Sequence, residues 1–236
     1  MKKISAVLFD LDGTLLPMQT EVFTKAYFSG LARRAAPLGY APERLVDAIW
    51  RGTGAMMKND GSVTNETRFW QVFNSCFPEL PECDRAIFDE FYAVDFPTLS
   101  YSCGYESRAA GLVRSLRERG IRVILATNPI FPRVATENRI RWAGLSPDDF
   151  EYISSFENSC HAKPNPDYFR DVLRETGLSP DECLMVGNDV DEDMVAATLG
   201  ISVFLLTDCL INRKDTDVSV YPHGDFADLE RFLAEI

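Results

Sequence analysis

Asp10 and Asp12, separated by one residue in Asp10-Leu11-Asp12-Gly13-Thr14, are the side chains of this sequence best suited to chemistry. Two carboxylates at this spacing suit a hard, oxygen-seeking cation such as Mg²⁺, and one can attack as a nucleophile while the other moves a proton. Asp and Gly are also common turn residues, so the alternative reading of the pentapeptide taken alone is a polar turn. Its position favours chemistry. It ends the short apolar run Ile4 to Phe9, and in an open α/β sheet the reactive groups sit beyond the carboxyl ends of the strands.

Three later runs end in comparable groups. Ile121 to Ala126 leads into Thr127-Asn128-Pro129, where a hydroxyl and backbone N–H groups could bind an anion, or where Thr127 could simply cap the next turn. Lys163, in Cys160-His161-Ala162-Lys163-Pro164-Asn165-Pro166, stands just ahead of a helical pattern and is either a point charge for a phosphoryl group or a solvated loop lysine. His161 reads as a loop residue rather than an acid or base. Cys183 to Val186 runs into Gly187-Asn188-Asp189-Val190-Asp191-Glu192-Asp193, four acidic residues in five positions. Asp189 and Asp193, four apart, can both face a site, while Asp191 and Glu192 suit the first turn of a helix.

The elements that must position these groups are legible as alternation. Apolar runs at Ile4 to Phe9, Ile121 to Ala126, Tyr152 to Ser155, Cys183 to Val186 and Ile201 to Leu206 read as strands. Helical patterns fall at Glu106 to Arg119, Arg133 to Ala143, Pro166 to Thr176 and Glu192 to Leu199, each followed by a glycine stop. Such alternation specifies a parallel sheet flanked by helices. Gly144-Leu145-Ser146-Pro147-Asp148-Asp149 and Gly177-Leu178-Ser179-Pro180-Asp181-Glu182 repeat one connection, a glycine stop and then a Ser-capped, Pro-started turn.

More than a hundred residues separate Asp10 from Thr127, too many for a loop inside one domain. Helical patterns at Thr20 to Ala36, Pro42 to Trp50, Asn65 to Phe77 and Asp84 to Phe91 fill the gap, with Phe23, Tyr27, Gly30 and Leu31 on one face. The expectation is a helical domain at 17–100 inserted into a core of residues 1–16 and 101–236. Gly52 to Gly61 reads as a Gly-rich mobile loop interrupting it, carrying Lys58 and Asn59 either as substrate contacts or as plain surface.

Composition bounds the rest. With 236 residues, 46% of them hydrophobic, the chain can fill a sizeable core and a smaller one. A formal charge of −12, with no basic run longer than two residues, argues against a nucleic-acid ligand. Cys76, Cys83, Cys103, Cys160, Cys183 and Cys209 lack zinc-site spacing and read as dispersed thiols of a reducing compartment. Met1-Lys2-Lys3 precedes an apolar run too short for a signal peptide, and no run reaches membrane-spanning length, so the expected address is the cytoplasm.

Taken in order, Asp10-Leu11-Asp12-Gly13-Thr14, Thr127-Asn128, Lys163-Pro164-x-Pro166 and Gly187-Asn188-Asp189 with Asp193 resemble the haloacid dehalogenase superfamily of phosphohydrolases over nearly the whole chain. The resemblance implies a Rossmann-like core with a helical cap inserted after the first strand. It implies Asp10 as a nucleophile forming an aspartyl-phosphate and Asp12 as acid and then base. Thr127, Asn128 and Lys163 become phosphate ligands; Asp10, Asp12 and Asp189 become Mg²⁺ ligands, Asp12 chiefly through its backbone. Asp193 supports the metal indirectly. In the superfamily's dehalogenases and phosphonate hydrolases the second aspartate is replaced, so Asp12 favours phosphate esters. Leu16-Pro17-Met18-Gln19 departs from the usual aliphatic-Asp-Ser/Thr and weakens transfer of a phosphoglycolate phosphatase or sugar-phosphate mutase identity. The implied partner is a small phosphorylated metabolite, since a closing cap leaves limited room. A phosphomutase and a non-catalytic phosphate-binding protein remain the alternatives.

Overall fold

The computed structural model describes residues 4–78 and 85–236. Met1-Lys2-Lys3, Cys83 and Asp84, where a cap helix was expected to start, lie outside them. The core is a six-stranded parallel sheet in the order β3-β2-β1-β4-β5-β6. Its strands are β1 (Ala6–Phe9), β2 (Arg122–Leu125), β3 (Tyr152–Ile153), β4 (Cys183–Gly187), β5 (Ser202–Leu206) and β6 (His223–Gly224). Between β1 and β2 come α1 (Thr20–Ala35), α2 (Pro42–Met57), α3 (Asn65–Ser75), α4 (Arg85–Glu90) and α5 (Ala109–Glu118). The later connections carry α6 (Arg133–Trp142) and α7 (Pro166–Thr176), and α8 (Phe226–Ala234) follows β6.

β1 is apolar at every position because both faces of the sheet are covered. Val7 and Phe9 pack with Leu112 and Val113 of α5 and Leu229 of α8, whereas Ala6 and Leu8 pack with Phe169 and Val172 of α7. Fully burying a side chain such as Phe9 or Leu8 contributes roughly 1.5–3 kcal/mol, and these contacts fix the strand that ends in Asp10. Both repeated connections form as expected. Gly144 and Gly177 adopt φ of +75° and +65°, and Ser146 and Ser179 each open a 3₁₀ turn with a capping box, to Asp149 and Glu182.

The helices after β1 build a second core, rich in aromatic rings, from Phe23, Tyr27 and Leu31 of α1, Ile49 of α2, and Phe69 and Phe73 of α3. After α4 the chain widens into a π turn at Phe91–Asp95 and tightens into a 3₁₀ stretch at Phe96–Ser102 that carries Pro97.

Three expectations are corrected. The segment from Gly52 to Met57 is not a loop, since α2 continues through Gly52 and Gly54 to its end at Met57. The apolar stripe Leu45, Ala48, Ile49, Gly52, Met56 continues at helical spacing, and Gly52 lets α3 approach so closely that a Cβ there would lie 2.6 Å from the Phe69 ring. The element after β4 starts at Met194 rather than Glu192 and is a 3₁₀ helix, Met194–Leu199, because Asp189 folds the preceding residues into a turn. Finally, β6 and α8 add an edge strand and a covering helix that the apolar runs did not reveal. The two-residue strand is too short for a pattern, although the Asp225-x-x-Asp228 capping box ahead of Leu229 and Leu233 marks the helix.

Candidate active site

β1 lies mid-sheet, paired with β2 through Phe9↔Leu125 and with β4 through Phe9↔Val186. Strand order runs outward in both directions from the β1/β4 pair, which opens a crevice at their carboxyl ends. Asp10 enters it directly after the ladder, its N–H donating to Val186 O at 2.9 Å. Thr127 and Asn128 enter from β2, and Asn188 and Asp189 from β4, all lining one cleft with Asp10 and Asp12.

Lys163 ties the floor together. Its side chain is fully buried, with Nζ 3.1 Å from Asp10 Oδ1 and 2.6 Å from Asp193 Oδ1. Burial opposes its charge, but the carboxylates of Asp10 and Asp193 outweigh that and hold its pKa above the ordinary lysine range. Burial pushes the Asp193 carboxyl up to about 7, against the pull of the Lys163 ammonium and with the Asp10 carboxylate adding to the rise. Asp193 Oδ2 also accepts the Asp189 N–H at 2.9 Å, so Asp193 braces both the lysine and the turn after β4.

Asp12, half-buried at the cleft, pairs through Oδ2 with Arg139 of α6, while its Oδ1 is shielded from solvent without a partner. This enclosed setting raises the Asp12 carboxyl; Arg139 pulls the other way and the Asp10 carboxylate reinforces the rise. The next residue, Gly13, turns at φ +89° against Asn188, and a Cβ there would lie 2.3 Å from the Asn188 amide nitrogen. Asn188 in turn accepts the Thr14 hydroxyl at 3.2 Å and donates to Cys209 O at 2.7 Å.

Asp189 is held by the N–H groups of Asp191 and Glu192 on Oδ1 and by Arg213 on Oδ2 at 2.6 Å. The Asn128 amide donates to Glu192 Oε2 at 2.8 Å, and Asn128 Oδ1 is buried without a partner. Burial and the neighbouring Asp189 carboxylate raise the Glu192 carboxyl, the Lys163 ammonium opposing. Glu192 therefore faces the site, contrary to its expected role in a solvated helix turn.

Thus Asp10, Asp12, Thr127, Asn128 and Asp189 line one cleft, with Lys163 and Asp193 beneath them. Lys58 and Asn59 do not line it. Lys58 is exposed, and buried Asn59 donates to Val63 O and to Asn65 Oδ1, both at 2.9 Å, closing the α2–α3 turn. His161 pairs with Asp171 at 2.7 Å. Sequence reasoning missed Arg139 and Arg213. Arg139 carries a usable signal, because it falls on the buried stripe of α6 with Ala135, Thr136 and Ile140, where an unpaired charge would be costly. Arg213, on a loop beyond β5, carries none.

Among the described residues no three Asp, Glu, His or Cys side chains converge tightly enough to hold an ion in this arrangement. The donor chemistry nevertheless fits Mg²⁺: Asp10 and Asp189 follow adjacent, paired strands and line the same cleft with carboxylate oxygens. Arg213, more than half exposed, stands as the cation against Asp189.

The carboxylate-lined crevice lies at the switch point of a doubly wound α/β sheet whose first strand is followed by a helical insertion, the usual place for a ligand site in this fold class. The family model described as haloacid dehalogenase-like hydrolase matches residues 4–199, and the chain belongs to that family. It is 25% identical to Protein CbbY of Cereibacter sphaeroides over 98% of this chain and 91% of that protein. It is 26% identical to the phosphoglycolate phosphatase of Vibrio cholerae serotype O1 over 88% of this chain and 86% of that protein. The crystal structure of a HAD phosphatase from Thermococcus onnurineus shares the fold with a TM-score of 0.60 at 19% identity, covering 98% of each chain.

Proposed function

We propose that this hydrolase is a Mg²⁺-dependent phosphatase that cleaves a phosphate monoester through an aspartyl-phosphate on Asp10, with residues 17–100 as its cap. The observation that carries the reading is the contrast between two carboxylates two residues apart: Asp10 lies against the buried Lys163 ammonium, whereas the Asp12 carboxyl is raised toward its protonated form. One is equipped to meet a phosphoryl group and the other to donate a proton.

An Asp10 oxygen attacks phosphorus and the ester P–O bond breaks. The leaving alkoxide takes the Asp12 proton and departs as the alcohol. Asp12, now a carboxylate, takes a proton from water; the oxygen of that water attacks the phosphoryl group, releasing phosphate and restoring Asp10. Lys163, Thr127 and Asn128 bind the phosphoryl oxygens, and the Lys163 charge offsets the repulsion between a dianionic ester and Asp10. Asp10, Asp189 and Asp12, the last chiefly through its backbone, would hold Mg²⁺, which would supply further charge neutralisation. Asp193 keeps Lys163 and the Asp189 turn in register. The dispersed thiols accord with a cytoplasmic site of action.

The test is phosphate release from an aryl phosphate with Mg²⁺ and with excess chelator, for the wild type and Asp10→Asn. Metal-dependent release that the variant loses is the expected result. Undiminished turnover by Asp10→Asn would sink the mechanism, and transfer to a sugar without net release would identify a mutase.

A further inference from the structure

The cleft above Asp10 measures about 880 Å³, far more than a phosphoryl group occupies and near the upper end of small-molecule pockets. Its cap side is rich in aromatic rings. Phe23 and Phe28 of α1, Trp50 of α2, Phe69 and Trp70 of α3, and Phe88 of α4 all line it. Trp50 is 53% exposed, with the Phe28 ring 5.5 Å away, so two aromatic side chains offer an open apolar surface in the same cleft as the catalytic carboxylates.

Several polar groups of this wall are matched with one another. The Tyr27 and Tyr92 hydroxyls bond at 2.8 Å. Arg85 pairs with Glu66 at 3.4 Å and covers the Trp70 ring at 5.0 Å. Arg133 pairs with Glu137 at 2.9 Å, and its backbone N–H donates to Glu157. The third cation among the described lining residues, Arg213, pairs with Asp189 at 2.6 Å. A second anionic group on the organic part of a substrate would therefore meet Arg85 and Arg133 already paired and an excess of carboxylates.

We infer that the cleft selects phosphate monoesters of bulky, uncharged, apolar alcohols, and selects against pyrophosphate and esters that carry a second anion such as phosphoglycolate. The inference rests on the phosphatase reading of the same site. In that role the aromatic wall takes the organic group while Lys163, Thr127 and Asn128 take the phosphoryl group, so binding free energy grows with the apolar area covered.

The experiment uses the whole protein with Mg²⁺. Calorimetry measures the affinity of ethyl-, butyl-, hexyl- and octylphosphonate, and kinetics measure kcat/KM for the matching n-alkyl phosphates beside phosphoglycolate and pyrophosphate. Saturated alkyl alcohols leave with similar ease, so chain length reports the wall rather than the chemistry. Affinity is expected to rise about three- to fourfold for each buried methylene, and kcat/KM to rise with it. Trp50→Ala should flatten both series, and half-exposed Trp50 can be removed without opening the cap core. Affinity independent of chain length, or kcat/KM for phosphoglycolate above that for hexyl phosphate, overturns the inference. A chain-length slope in binding with no phosphate released from any ester rejects the phosphatase reading alone and upholds the apolar selectivity.

Discussion

Replacing Lys163 by Met keeps the length of the side chain and removes the one ammonium shared by Asp10 and Asp193. The contacts are 3.1 and 2.6 Å, and at an effective dielectric near 20 each is worth about 5–6 kcal/mol before desolvation. Desolvation of the ions offsets much of that, and removing one partner from a buried cluster typically leaves a net loss of about 3–5 kcal/mol. At roughly 2 kcal/mol per molar of urea, the midpoint should fall by about 2 M. The loss should also depend on pH with a definite sign. The Asp193 carboxyl is raised from 3.8 to about 7, so its contribution to stability is fullest below about 4 and is lost as pH rises through 7. Without Lys163 the buried Asp193 carboxyl rises further, and the deficit should grow between pH 5 and pH 8. Urea unfolding of wild type and variant, followed by circular dichroism at these two pH values, measures it. A loss below about 1 kcal/mol, or one equal at both pH values, would refute the assignment of Lys163 as the shared counter-ion.

Asp12→Asn should lower kcat by about 10²-fold or more, and more for alkyl than for aryl phosphates, whose leaving groups need no proton; equal losses would remove Asp12 from the acid role. Because the Asp12 carboxyl is raised, the wild-type acid form should be present at low pH and lost as pH rises through a value above the usual carboxylate range, giving an alkaline limb in kcat/KM that Asp12→Asn abolishes. Asp189→Ala should raise the Mg²⁺ concentration needed for half-maximal activity sharply, with Asp193→Asn milder, and calcium should inhibit; full activity under excess chelator contradicts the metal assignment. In α2, Gly52→Val should destabilise the protein by about 1–3 kcal/mol through the clash with Phe69, whereas Gly54→Ala, whose Cβ meets nothing within 4 Å, should stabilise by roughly 0.5–1 kcal/mol, both read from thermal unfolding.

The sequence alone marked the side chains that could do chemistry. A strand breaking into Asp10-x-Asp12, a second ending in Thr127, and a third ending in Asp189 are local patterns, because a parallel strand buried on both faces must be apolar until the ladder ends and its first polar residues fall at the rim. Helix stops at Gly144 and Gly177 and the Ser-Pro turns after them are local too, fixed by positive φ and capping hydrogen bonds within a few residues. What only tertiary structure decided is which charges meet. Lys163 reaches Asp10 and Asp193 across 153 and 30 residues, Arg139 reaches Asp12 across 127, and Arg213 reaches Asp189 across 24. Local rules make Gly52 a helix breaker, yet contact with the Phe69 ring on α3 makes it a packing residue and turns the expected loop into helix. Asn59 likewise turns inward because the α2–α3 turn needs its amide, and the aromatic wall of the cleft takes shape only when four separate helices pack together. Hydrogen bonds and φ preferences act over a few residues and are written in the sequence; desolvation and ion pairing depend on which distant surfaces exclude water together, and that is settled when the chain packs.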